Sequence, residues 1–206
     1  MAFSAIIKPT DYFNTKLYTG TGASSQAQTG VGFEPSFVWI KSRSTSEGHV
    51  LADAVRGVTK YLISNTTSAQ VTNTDTVKSF DSDGYTIGPA GVTGGNGVTF
   101  ASWNWKANGA GSSNTDGSIT STVSANTTSG FSIVKYTGTG SSGTIGHGLG
   151  VPPTAIITKR VSATEQWFTW IQGITSAGGF LKLDVTNAAS TNNTAFPWNP
   201  QANTFG

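Results

Sequence analysis

Tyr18-Thr19-Gly20-Thr21-Gly22 and Tyr136-Thr137-Gly138-Thr139-Gly140 are the same five residues, YTGTG, set 118 positions apart. The register holds without a gap on both sides. Upstream, Phe13 falls on Phe131. Downstream, Ser24 falls on Ser142, Gly30 and Gly32 on Gly148 and Gly150, Pro35 on Pro153, and Lys41 on Lys159. Chance rarely aligns so many glycines, prolines and aromatics in one register, so the pattern reads as an internal duplication. The period is too long for a solenoid and suits a repeated domain.

Working outward from the repeat, the chain reads as short strands separated by turns. Phe37-Val38-Trp39-Ile40-Lys41 is the strongest strand of the first copy. Its four consecutive large apolar residues predict that both faces are covered. Tyr12–Tyr18, Tyr61–Ile63, Val77–Phe80 and Tyr85–Gly88 are further strands, the last two joined by Asp81-Ser82-Asp83-Gly84, whose Asp-Gly is a hairpin signal. His49–Val58 reads as a turn with a brief strand, and Gly20–Gly32 and Gly91–Gly97 as loops. Val98–Lys106 closes the copy. On a strand its Ala101, Trp103 and Trp105 share one face, and Val98, Phe100, Ser102 and Asn104 the other.

In the second copy, Phe131–Tyr136 and Ala155–Lys159 repeat the first strand and the strongest one. Gln166–Ile171 follows, and Phe180–Leu183 matches Tyr61–Ser64 at an offset of 119. The polar run from Thr186 to Thr194 mirrors Asn65 to Thr74. Nothing corresponds to Val98–Lys106. Residues 108–129 carry almost no apolar side chains apart from Ile119 and Val123, and read as a polar linker with at most one short strand at Ser118–Val123. The expected architecture is therefore all-β, two β-sandwich units in tandem: residues 1–107 as lead-in and first unit, 108–129 as linker, and 130–206 as a second, shortened unit. A sandwich without its closing strand has an open edge. Either the second unit is cut short, or a neighbouring subunit donates the strand.

Composition narrows the function. Charged residues make up 11% of the chain, against roughly 25% in ordinary soluble domains. Such a chain is either disordered or β-rich with many turns. Six Trp, eleven Phe and five Tyr decide for the second, because disordered segments are poor in aromatics. A net charge of +2 with no Lys/Arg run offers no field for nucleic acid. The absence of Cys excludes disulfides, thiol catalysis and Cys-based zinc sites. No apolar run reaches the ~18–20 residues of a membrane helix, and the N-terminus has no signal-peptide core.

Residues able to carry chemistry are few. His49 and His147 are the only histidines. His147 has Thr29 as its repeat equivalent, which argues for a loop role and against a metal or base duplicated with the fold. Asp81-Ser82-Asp83-Gly84 resembles the start of a calcium loop but lacks the later acidic ligands. Glycosidic cleavage needs two facing acids. Asp53, Glu165 and Asp184 are the only acids in strongly apolar sequence, and none has an acidic repeat equivalent. No catalytic residue, metal site or cofactor is assigned. Trp167, Trp170 and Trp198 are candidates for stacking on sugar rings, with burial in a core or a subunit contact as the competing role. Phe37, Trp39, Trp103 and Trp105 are candidates for subunit contact.

The runs YFNTKLYTGTG (residues 12–22), TGVGFEPSFVWIKSR (29–43), SFDSDGYTIG (79–88) and ASWNWKAN (101–108) resemble a repeat module of bacteriophage virion proteins of the tail-fibre and appendage type. DGSITSTVSANTTSGFSIVKYTGTGSSGTIGHGLGVPPTAIITKR (116–160) resembles the junction into a following copy. The resemblance implies a lectin-like jelly-roll sandwich without enzymatic activity, serving virion structure or host contact. It also implies location in the virion, and partnership with other virion proteins and with copies of itself, a trimer being the common state of fibres. A carbohydrate-binding module for host surface glycans is the alternative, and a glycan depolymerase a third reading.

Overall fold

The computed structural model describes residues 6–175, 178–191 and 198–206. The first residues of the lead-in and the end of the polar run at Thr194 lie outside them. After a 3-10 turn at Pro9–Asp11, the first repeat supplies β1 (Phe13–Thr19), β2 (Gln26–Thr29), β3 (Phe37–Ser42), β4 (Val50–Asp53), β5 (Lys60–Ile63), β6 (Val71–Thr72), β7 (Val77–Asp81), β8 (Gly84–Ile87), a single helical turn α1 (Gly91–Gly94), and β9 (Thr99–Trp105). The strands form two antiparallel sheets, β1-β9-β3-β4-β5-β6 and β2-β8-β7. Val38, Ile40, Val50, Ala52, Tyr61 and Phe100 from the larger sheet meet Val77, Tyr85 and Ile87 from the smaller in one core. This is a sandwich, two sheets burying their facing sides. The loops expected at Gly20–Gly32 and Gly91–Gly97 thus hold β2 and α1.

β9 is an interior strand of the larger sheet, paired with β1 on one side and β3 on the other. Its faces separate as the alternation predicts, but the polar-looking face is the inner one. Phe100, Ser102 and Asn104 are fully buried, while Trp103 and Trp105 are only partly so. Asn104 is satisfied in part by donating to the Asn14 carbonyl at 3.0 Å and to Ser102 Oγ at 3.2 Å. Small hydrogen-bonded side chains let the second sheet approach here.

The hairpin between β7 and β8 shows why the repeated glycines sit where they do. Gly84 has φ +148°, and a Cβ there would lie 1.9 Å from the Gln28 carbonyl oxygen. The Asp83 carboxylate accepts the N–H groups of Gly30 at 2.9 Å and Gly32 at 2.7 Å. These bonds hold its pKa below the ordinary carboxylate value. Gly30 and Gly32 have φ +83° and +91°, and their repeat equivalents Gly148 and Gly150 have +68° and +74°. The duplicated glycines carry a duplicated left-handed backbone, which side chains disfavour.

The second repeat uses the same plan. β10 (Ser112–Asn114) and β11 (Ser121–Asn126) precede β12 (Phe131–Tyr136), and β13 (Ile145–Gly146), β14 (Ala155–Thr158), β15 (Phe168–Ile171), β16 (Leu181–Lys182) and β17 (Thr204–Phe205) follow. The series β3-β4-β5 recurs as β14-β15-β16, and the β2·β8 pair recurs as β13·β17. Ile145, Ile156, Trp170, Trp198 and Phe205 form its core. The chain is nearly all β, with several antiparallel sheets in a sandwich-type fold. The stretch expected as a polar linker is built differently: β10 and β11 join β12 in a three-stranded sheet. Ser121 and Ser124 are buried, with Ser121 donating to the Gly146 carbonyl and Ser124 Oγ accepting the Asn108 N–H.

Candidate functional site

The outward face of the six-stranded sheet gathers the aromatic side chains that the sequence offered for subunit contact. Strand register places Trp39 beside Trp103, and Trp105 beside both Phe13 and Phe37. The Trp105 ring lies 4.8 Å from Phe13 and 5.3 Å from Phe37. Phe131, the first residue of β12, then stacks on Trp105 at 5.9 Å and meets Phe37 edge-on at 5.9 Å. Offset stacked and edge-on pairs at such separations are favourable.

Trp167, just before β15, closes the other half of this face. It is 4% exposed and packs with Leu51 and Leu62, against which Phe37 and Trp39 also lie. Its indole N–H is shared between the carbonyls of Ile63 and Thr66, each at 3.1 Å. Around it, Glu165 N–H donates to the Thr67 carbonyl, Gln70 N–H to the Val161 carbonyl, and Lys159 Nζ to the Thr67 carbonyl. Phe37 and Trp105 are therefore partly covered by Phe131 of the chain's own second repeat, Phe37 and Trp39 lie against the cluster that holds Trp167, and Trp103 stays half-buried beside Trp39. Part of the aromatic face expected to meet another subunit thus meets the second repeat of the same chain.

The three sugar-stacking candidates are all interior. Trp167 is 4% exposed, and Trp170 and Trp198 are each 7% exposed in the second core. Burial leaves no ring face free for a sugar. Trp167 falls on His49 of the first repeat, which is an intrachain contact residue too. His49 Nδ1 accepts the Trp39 indole N–H at 3.0 Å. Burial, then the Lys41 charge, lowers the His49 pKa. The repeated lysines are a second duplicated device. Lys41 Nζ donates to the Glu47 carbonyl at 2.7 Å, and Lys159 Nζ to the Glu165 carbonyl at 2.6 Å. Burial lowers the Lys159 pKa against the opposing pull of Glu165 and Asp184.

The other titratable side chains that the sequence singled out are engaged in structural hydrogen bonds or ion pairs. His147 is buried, with Nδ1 accepting the Leu149 N–H and Nε2 facing the Gln201 carbonyl. Asp53 pairs with Arg56 in the interior. Glu165 accepts the Gln166 N–H and Asp184 the Trp167 N–H. In the Asp-Ser-Asp-Gly turn, Asp81 accepts the Thr86 hydroxyl and Asp83 the two glycine amides. Among the described residues no three His, Cys, Asp or Glu side chains gather as a metal site. A shallow hollow over β10, β11 and β12 is lined by Ser113, Thr120, Ser121, Thr122, Lys135, Tyr136 and Thr137, with no acid or histidine among them. What the geometry does offer is β-surface: a sealed aromatic seam between repeats, and strand edges at β12 and β14, each paired on one side only.

A family model described as a domain of unknown function, DUF7483, matches residues 8–206. No curated protein and no solved structure matches the chain.

Proposed function

The chain belongs to the DUF7483 family of domains of unknown function, and from that premise we propose that it is a structural protein of a bacteriophage virion. It serves assembly and contact with the host surface, without catalysing a reaction. The observation that carries this reading is the seam itself. One sandwich presents an aromatic sheet face, and the next repeat covers it with Phe131 and Trp167. A module that seals its neighbour in this way suits proteins that build extended, repeated surfaces. The resemblance of residues 12–22, 29–43, 79–88, 101–108 and 116–160 to virion repeat modules supports it. Host contact falls to the exposed Gly/Ser/Thr loops, such as Thr137–Ser142, because Trp167, Trp170 and Trp198 are interior.

The test is to purify intact particles of the virus that encodes the chain through a density gradient, and to look for its peptides by mass spectrometry. We expect them in stoichiometric proportion to other virion proteins, with antibody labelling on the particle surface. Their absence from particles in which the other structural proteins are found would sink the proposal. Light scattering on the purified chain tests the accompanying expectation of a homo-oligomer.

A further inference from the structure

In the first repeat the sheet is continuous because β9 stands between β1 and β3, antiparallel to both. In the second repeat the equivalents of β1 and β3 are β12 and β14. Among the described residues no strand stands between them. β12 pairs with β11 only, and β14 with β15 only. Both strands nevertheless face one core, since Val134 of β12 packs against the cluster that contains Ile156 of β14. The side chains that a central strand would flank lie open. Tyr136 is 41% exposed and Ile157 51% exposed, whereas their equivalents Tyr18 and Trp39 are partly buried. Tyr18 is stacked on Phe100 of β9 at 5.1 Å.

We propose that the gap between β12 and β14 is a strand-acceptor site, and that its occupant is a β9-type segment: an extended strand free on both edges, antiparallel to its two neighbours. Each bordering strand turns alternate N–H and C=O groups into the gap, and an inserted backbone satisfies both rows at once. The register of the first repeat specifies the occupant. It is about seven residues long, as β9 is. Its inward residues are an aromatic beside Tyr136, where Phe100 sits beside Tyr18, and a small residue between Val134 and Thr158, where Ser102 sits between Lys16 and Ile40. Its outward residue between Ile133 and Ile157 is large and apolar, as Trp103 is between Thr15 and Trp39. An edge strand of a second folded copy does not meet this description, because one of its sides is already paired. The proposal stands on repeat register and is independent of the virion assignment.

The test uses the full chain and a labelled peptide of its own residues Val98–Ala107, VTFASWNWKA, followed by fluorescence anisotropy and amide hydrogen exchange. A scrambled peptide is the control. A second protein carries an extra copy of residues Pro89–Ala107 appended after Gly206, the position where the repeat register would deliver the strand. We expect saturable binding at least about tenfold tighter than the scrambled peptide, with new protection at amides of residues 131–136 and 155–158. The extended chain should show that protection without peptide, bind no peptide and melt at a higher temperature. Binding no better than the scramble, protection at other strands, or an extended chain whose β12 and β14 amides still exchange freely would each overturn the proposal.

Discussion

At the scale of single residues, the interior charges decide stability. Asp53 and Arg56 side chains are 5% and 8% exposed. Asp53 takes Arg56 Nε at 2.5 Å and its backbone N–H at 2.7 Å, and Arg56 Nη2 donates to the Leu51 carbonyl at 2.8 Å. Removing one partner strands the other charge in the interior. Asp53→Ala should therefore cost about 3–5 kcal/mol in urea unfolding, and replacing both residues by apolar ones should cost clearly less. His49 gives a pH signature. It accepts the Trp39 indole through an unprotonated Nδ1, and burial with the Lys41 charge lowers its pKa in the fold. Folding thus favours the neutral ring. Its contribution is complete above the ordinary histidine value of about 6.5, and is lost as the pH falls from there through the lower folded value. The melting temperature should fall on acidification across that window, and His49→Gln should flatten that part of the curve. An unchanged slope would show that another group titrates there.

At the scale of elements, what the sequence makes legible is what backbone geometry enforces. The repeated glycines mark left-handed positions, the Asp-Gly turn marks the β7–β8 hairpin, and the period-2 pattern of Thr99–Trp105 separates its faces. The seam was legible only in part, because alternation names the two faces of a strand and not which one turns inward. On β9 the tryptophans face out and Ser102 and Asn104 face in, since a neighbouring repeat supplies the apolar cover that water would otherwise deny. β10 escaped and β11 was only partly legible, as the strand expected at Ser118–Val123 overlaps its first three residues. The burial of β11 rests on serine hydroxyls bonded to backbone, a contribution that hydropathy does not register. Trp167 is the element-scale test of the seam. Trp167→Ala removes a buried ring and leaves the Ile63 and Thr66 carbonyls short of a donor, so it should destabilise the chain by about 3–5 kcal/mol. Trp167→Phe should keep most of the packing and cost less. Equal melting temperatures for Trp167→Ala and the parent would mean that the ring is not part of the seam.

At the scale of the whole molecule, the two repeats are unequal partners. The first has its central strand in place and a core closed by both sheets. The second shows β12 and β14 with open edges, and it leans on the first through Phe131, Trp167 and the backbone bonds at Thr67 and Gln70. Separating them should expose that asymmetry. A fragment of residues 1–110 keeps every strand of the first sandwich, and should give a β-type circular dichroism spectrum with a cooperative melt. It also bares Phe37, Trp39, Trp105, Leu51 and Leu62 together, an apolar patch of the kind that drives association. The fragment should therefore form dimers or larger species by light scattering, and Trp105→Lys should return it to a monomer. Residues 111–206 alone lose the face they rest on and keep the unfilled gap, so they should show no cooperative melt. If the second repeat melted cooperatively by itself while the first did not, the dependence would run the other way, and the seam would be a consequence of two independent folds rather than what holds the weaker one together.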